Sequence, residues 1–154
     1  MKEKKAAFSL IELILIVAFI GIFAVIAVPR LNFAIISKQK ADTVARKIVT
    51  DLRLTRRLAI SDAANNTKGF ELKMIGSVPY TGYEIENMDT HGTVASHTID
   101  SSVAVSCSSI GKFRFEPLGN LQTGSDSQII VSAESKSFTI TINSATGAVK
   151  CVEN

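Results

Sequence analysis

The sequence predicts an α+β fold: a long N-terminal helix, with a transmembrane half and an amphipathic half, packed on an antiparallel β-sheet head. Three observations predict it. Residues 5–29 form a run of membrane length that begins at Lys5, is apolar beyond it but for Ser9, and holds one carboxylate, Glu12. Ala41, Val44, Ile48, Leu52, Thr55 and Ala59 then recur at alternating three- and four-residue steps, the spacing of one helix face. After Gly69 the chain breaks into short runs separated by Gly, Pro, Ser, Asn and Asp clusters, the pattern of antiparallel strands.

The division that follows is residues 1–7 as a leader, 8–29 as a transmembrane helix, 30–62 as an amphipathic helix and 69–154 as a β-rich head. The leader carries Lys2, Lys4 and Lys5, and cations on that flank hold it on the cytoplasmic side of a membrane. From residue 8 to 28 a helix would rise about 30 Å, enough for a bilayer core. Glu12 is the anomaly there, since an ionised side chain at the centre of such a helix costs about 2.5–3.5 kcal/mol on insertion scales and calls for a partner. Lys4 and Lys5 could reach back to it by snorkelling. If residues 1–7 are cut away, the new amine of Phe8 stands about one turn from Glu12 and is the stronger partner.

Pro29 kinks a helix without having to end it, and helical spacing resumes beyond it. Asp42 with Arg46, and Lys47 with Asp51, stand four residues apart with opposite charge; Arg53, Arg56 and Arg57 continue the wet side. The polar stretch 61–69 stops the helix. Strands are predicted at 70–75, 83–86, 102–107, 112–116, 128–133, 137–143 and 148–152. Those at 112–116 and 137–143 alternate strictly, so each has an apolar face to cover, and the stripe from Ala41 to Ala59 is the cover available.

The formal charge is +3, of which three lysines and one glutamate of the leader supply +2. The processed chain would carry +1, which argues weakly for nucleic acid. Cys107 and Cys151 both lie in the part that would be exported, where an oxidising compartment permits a disulfide. Such a bridge would contribute about 4 kcal/mol on the chain-entropy estimate; two buried free thiols are the alternative. No His, Asp or Glu stands at ligand spacing around either cysteine, and no metal or other cofactor is expected. His91 and His97 sit in the polar stretch 89–100 and read as exposed loop histidines. Gly-x-Ser-x-Gly and phosphate-cradling patterns are absent, and no enzyme activity is expected.

The string Phe8-Ser9-Leu10-Ile11-Glu12-Leu13, behind a short Lys-rich leader and a small residue, resembles the N-terminal signal of type IV pilins and type II secretion pseudopilins. The resemblance implies that a prepilin peptidase at the inner membrane cleaves between Ala7 and Phe8 and methylates the Phe8 amine. It further implies that Glu12 registers the subunit in a helical filament by neutralising a neighbour's N-terminus, and that Gly21 and Pro29 loosen or kink the helix. The family has Gly before the cut, where this chain has Ala7.

Residues 53–60 (RLTRRLAI), 115–119 (FEPLG), and 139–143 (TITIN) leading into 146–149 (TGAV) look like the H-type minor pseudopilins and the related minor pilins with a two-sheet head. The expected function is a minor structural subunit of a type II secretion pseudopilus. It would be single-pass in the inner membrane with its head in the periplasm, then part of a periplasmic filament, with prepilin peptidase, other pilin-like subunits and an exported protein as partners. A minor type IV pilin in pilus assembly or DNA uptake is the alternative. The tail 147–154, with one Lys and one Glu, makes a poor phosphate track, and DNA is not the expected partner. A third reading takes residues 1–27 as an ordinary signal peptide, cut before Val28 to release a periplasmic binding domain.

Overall fold

A computed structural model describes residues 9–27 and 33–154. The chain divides into two compact units, residues 1–33 and 34–154.

In the first unit, α1 (Leu10–Ala27) is an 18-residue helix. It opens on the carbonyl of Ser9, which accepts from Glu12 N at 3.0 Å and Leu13 N at 3.1 Å. Its last residue is Ala27.

The second helix, α2 (Phe33–Ser61), spans 29 residues and carries nine Lys, Arg and Asp side chains between Lys38 and Arg57. These are separate elements, which corrects the expected single long N-terminal helix. Among the described residues no helix is long and apolar enough to cross a membrane, and the expected transmembrane half is corrected with it. Eighteen residues rise only about 27 Å, short of a hydrocarbon core of about 30 Å.

From residue 34 onward, α2 and eight strands share one hydrophobic core. The strands are β1 (Phe70–Ile75), β2 (Gly82–Asn87), β3 (Thr93–Thr98), β4 (Ala104–Cys107), β5 (Lys112–Phe115), β6 (Gln128–Ala133), β7 (Lys136–Ile142) and β8 (Val149–Glu153). They form two four-stranded antiparallel sheets, ordered β3-β2-β1-β5 and β4-β6-β7-β8. In the first, Leu72 pairs with Ile85 on one side and Phe113 on the other; all three are fully buried. In the second, Val131 pairs with Val105 and Phe138. Each strand alternates, so the same register puts Lys73 against Glu84 on the outer side, at 3.4 Å.

The stripe on α2 closes this core: Ala41, Ile48, Leu52, Thr55 and Ala59 are fully buried, with Ala45 beside them. Thr55 satisfies its hydroxyl by donating to Asp51 O at 2.7 Å. After the helix, Asn66 anchors the entry to β1, donating to Gly69 O at 2.8 Å and accepting from Gly69 N at 2.7 Å. Gly69 has φ +76, and a Cβ there would lie 1.9 Å from Phe115 O. Only glycine fits that crossing.

Two local expectations change. Residues 93–98 are strand β3 rather than loop; the segment is an edge strand with no large apolar side chain facing the core, so no alternation of hydrophobicity announced it. Asp51 does not pair with Lys47 but turns inward.

Candidate functional site

The side chains of α1 define one candidate surface. A helix apolar on one stripe packs on that stripe, whereas one apolar on every side is built to be surrounded. Twelve large apolar side chains of α1, from Leu10 to Val25, are exposed. Glu12 is the acid of the first turn, where the positive end of the helix dipole favours a carboxylate. It also stands three residues after Ser9, the spacing of a capping box. The acid therefore sits at the start of the apolar helix rather than within it, which supplies a local reason for its presence. Helix α1 runs unbroken through Gly21, around which a Cβ would meet nothing within 4 Å. Ala7, Phe8 and Pro29 lie outside the described residues.

The expected disulfide between Cys107 and Cys151 is corrected, because both cysteines are free. Sheet register gives the reason. Cys107 pairs with Ile129, Ile129 with Ile140, and Ile140 with Cys151, so the thiols occupy one row on opposite edge strands. Three inter-strand spacings put their Cα atoms about 14 Å apart, against a disulfide limit of about 7 Å. Burial, then the charge of Asp126, pushes the Cys107 thiol up to about 12; burial also raises that of the exposed Cys151.

Intact mass should show two free thiols, and an alkylating reagent should modify Cys151 well before Cys107, since the thiolate is the reactive form. Because the Cys107 thiol is raised in the folded state, its contribution to stability is complete below the unfolded value of 9.0 and is lost as pH rises towards about 12. Urea unfolding from pH 8 upward should show that decline, and Cys107→Ala should flatten it.

The second constellation was not anticipated. Asp51 on α2 is buried and accepts from the Tyr83 hydroxyl at 2.6 Å; His97 Nε2 lies 3.4 Å from the same carboxylate oxygen. The Tyr83 and His97 rings stand 5.3 Å apart, tilted by 58°, as expected of residues paired across β2 and β3. His97 is therefore not an exposed loop histidine: its side chain is 28% exposed and faces α2. His91 is exposed, with its Nδ1 3.0 Å from Glu86 Oε1. Burial, then the hydrogen bond to Asp51, pushes the Tyr83 phenol well above its usual range; the phenol stays neutral and can only serve Asp51 as donor.

This cluster ties the helix to the first sheet. Tyr83→Phe would leave a buried carboxylate oxygen short of its donor, at a cost of about 1–3 kcal/mol. Urea midpoints should register that loss, and the double variant Asp51→Leu with Tyr83→Phe should recover part of it, because it removes the carboxylate together with its buried donor and leaves only His97, itself 28% exposed, without its partner. The sequence signal that could have found the cluster is the acid at position 51, which stands next to Leu52 on the apolar stripe.

Among the described residues no group of three or more His, Cys, Asp or Glu could hold a metal ion. Asp126, also buried, is used internally: it accepts from Ser108 Oγ at 2.9 Å and from Gly111 N. Arg53 and Arg56 each donate to a backbone carbonyl, Val149 O at 3.3 Å and Gly119 O at 3.0 Å.

No family model, curated protein or solved structure matches this chain.

Proposed function

We propose that this chain is a minor pilin-like structural subunit of a secretion pseudopilus, released from its leader by a prepilin peptidase and incorporated into a periplasmic filament. The observation that carries this reading is α1, apolar on all sides, opening at Leu10 with a single acid, Glu12, in its first turn. Copies of α1 from neighbouring subunits are the cover that such a surface fits. Burying one large apolar side chain is worth roughly 1.5–3 kcal/mol. A few of the twelve therefore outweigh the cost of bringing Glu12 into that interior, about 2.5–3.5 kcal/mol, and the Phe8 amine of a neighbour lowers the cost further. The head, from α2 onward, is left on the outside of the filament for adjacent subunits or cargo. In this reading the role of the head is structural.

N-terminal sequencing and intact mass of the protein purified from a host with prepilin peptidase test the reading. The expected result is a chain that begins at Phe8 and carries one added methyl group. A chain that begins at Val28 would establish the ordinary signal-peptide alternative instead, and an uncut Met1 would remove the filament reading.

A further inference from the structure

We propose that the free edge of β8 and the arginine-bearing side of α2 form a docking groove for an extended acidic segment of a partner protein, which adds to the second sheet as a fifth strand. The inference concerns the head alone and does not depend on the filament reading.

Two adjoining hollows of about 520 and 540 Å³ run between α2 and β8, with Arg53 common to both. One wall is backbone. Asn143 N donates to Ala148 O at 2.9 Å and Asn154 N to Ser137 O at 3.0 Å; with the β7–β8 register, these bonds set the phase of the ladder. Even-numbered residues of β8 bond to β7, so Val149, Cys151 and Glu153 direct their N–H and C=O groups the other way. The bond from Arg53 Nη2 to Val149 O places one of these carbonyls on the α2 side. Such an edge is a template for another strand.

The other wall is cationic. Arg53, Arg56 and Arg57 line the second hollow. Arg53 and Arg56 meet only carbonyls, and Arg57 makes no hydrogen bond or ion pair among the described residues. The carboxylates nearby are already engaged: Asp42 with Arg46 at 2.9 Å, and Glu153 with Lys136 at 3.2 Å. Positive charge is thus left uncompensated along this side. On the opposite flank of α2, beside β3, Lys40 and Asp100 pair at 2.8 Å, so that edge offers no comparable charge. The remaining edges are occupied: Val105 O on β4 accepts from Tyr80 N at 3.0 Å, and Lys112 O and Arg114 O on β5 each accept from the segment that follows, both at 2.8 Å.

Spacing selects the occupant. Alternate side chains of a strand are about 6.7 Å apart, close to the one-turn rise of about 5.4 Å that separates Arg53 from Arg56 and Arg57. A strand bearing carboxylates at alternate positions can offer one to each turn of the helix while its backbone pairs with β8, the mode of recognition known as β-strand addition.

The test is fluorescence anisotropy with the full chain in detergent micelles at low ionic strength. The probe is a short labelled peptide with glutamate at alternate positions and valine or threonine between. It should bind, and its lysine counterpart should not. N-methylation of the amides that face β8 should abolish binding. Arg57→Glu, which breaks no hydrogen bond or ion pair among the described residues, should weaken binding at least about tenfold. Equal binding of the N-methylated peptide, unchanged binding to Arg57→Glu, or no binding of the acidic peptide would each overturn the proposal. So would duplex DNA that binds the chain and loses affinity on Arg57→Glu while the peptide does not, because the groove would then be a phosphate track.

Discussion

Glu12→Ala is expected to abolish filament assembly while the leader is still removed and the head still folds. Position 12 has two separable roles. As the acid of the first turn it supports the start of α1, a contribution of a few tenths to about 1 kcal/mol. As an anion within a bundle of apolar helices it would be tolerable only beside a cation, and loss of one partner from such a buried pair costs about 3–5 kcal/mol, because the other charge is left uncompensated.

The variant Glu12→Gln distinguishes them. Glutamine at this position keeps the capping geometry and loses the charge. Electron microscopy of filaments, with cleavage followed by mass, gives the readout: if Glu12→Gln also fails to assemble, the charge is what matters. Normal filaments from Glu12→Gln would reduce position 12 to a helix start, and normal filaments from Glu12→Ala would end the pairing argument altogether.

Phe113→Ala is expected to be the most damaging single truncation in the head. Phe113 lies on β5 with no exposure, paired with Leu72 in the first sheet and buried within the common core. Removing a ring from such a site costs about 3–5 kcal/mol, transfer and cavity together, out of a total stability that for ordinary domains is about 5–15 kcal/mol. The control is Leu118→Ala: that side chain is 90% exposed and its loss should fall within about 0.5 kcal/mol of neutral. Urea denaturation with an unchanged slope and a lowered midpoint is the expected form of the Phe113→Ala result. Equal midpoints for the two variants would show that the ring is not part of the core.

Much of the head could be read from the chain, for a physical reason. A strand with one dry face and a helix with one dry stripe write their geometry into residue periodicity. Leu72, Phe113, Ile140 and the stripe from Ala41 to Ala59 declared themselves in this way. β3 did not, because an edge strand whose inward residues are Ala95 and His97 has little apolar surface to announce. In the chain Asp51 pairs by spacing with Lys47, since a helix shows on which side a residue lies but not which strand will cross above it. Tyr83 was assigned to a strand without a partner for its hydroxyl.

The two cysteines illustrate the same limit. Compartment and count allowed a single bridge, and nothing local could reveal that Cys107 and Cys151 would fall at opposite ends of one row of the second sheet. The groove beside β8 is likewise invisible in the chain, since Arg53, Arg56 and Arg57 were legible as a wet helix side and the unpaired edge that faces them arises from strand order.

The α+β class, the amphipathic side of α2 and the positions of most strands are legible in the chain, because each depends on neighbours within a few residues. Packing in three dimensions settled that the head is two sheets, that Asp51 faces Tyr83 and His97, and that the thiols stay apart. These depend on which distant segments lie side by side, and the free energy that selects them resides in contacts between residues far apart in the chain.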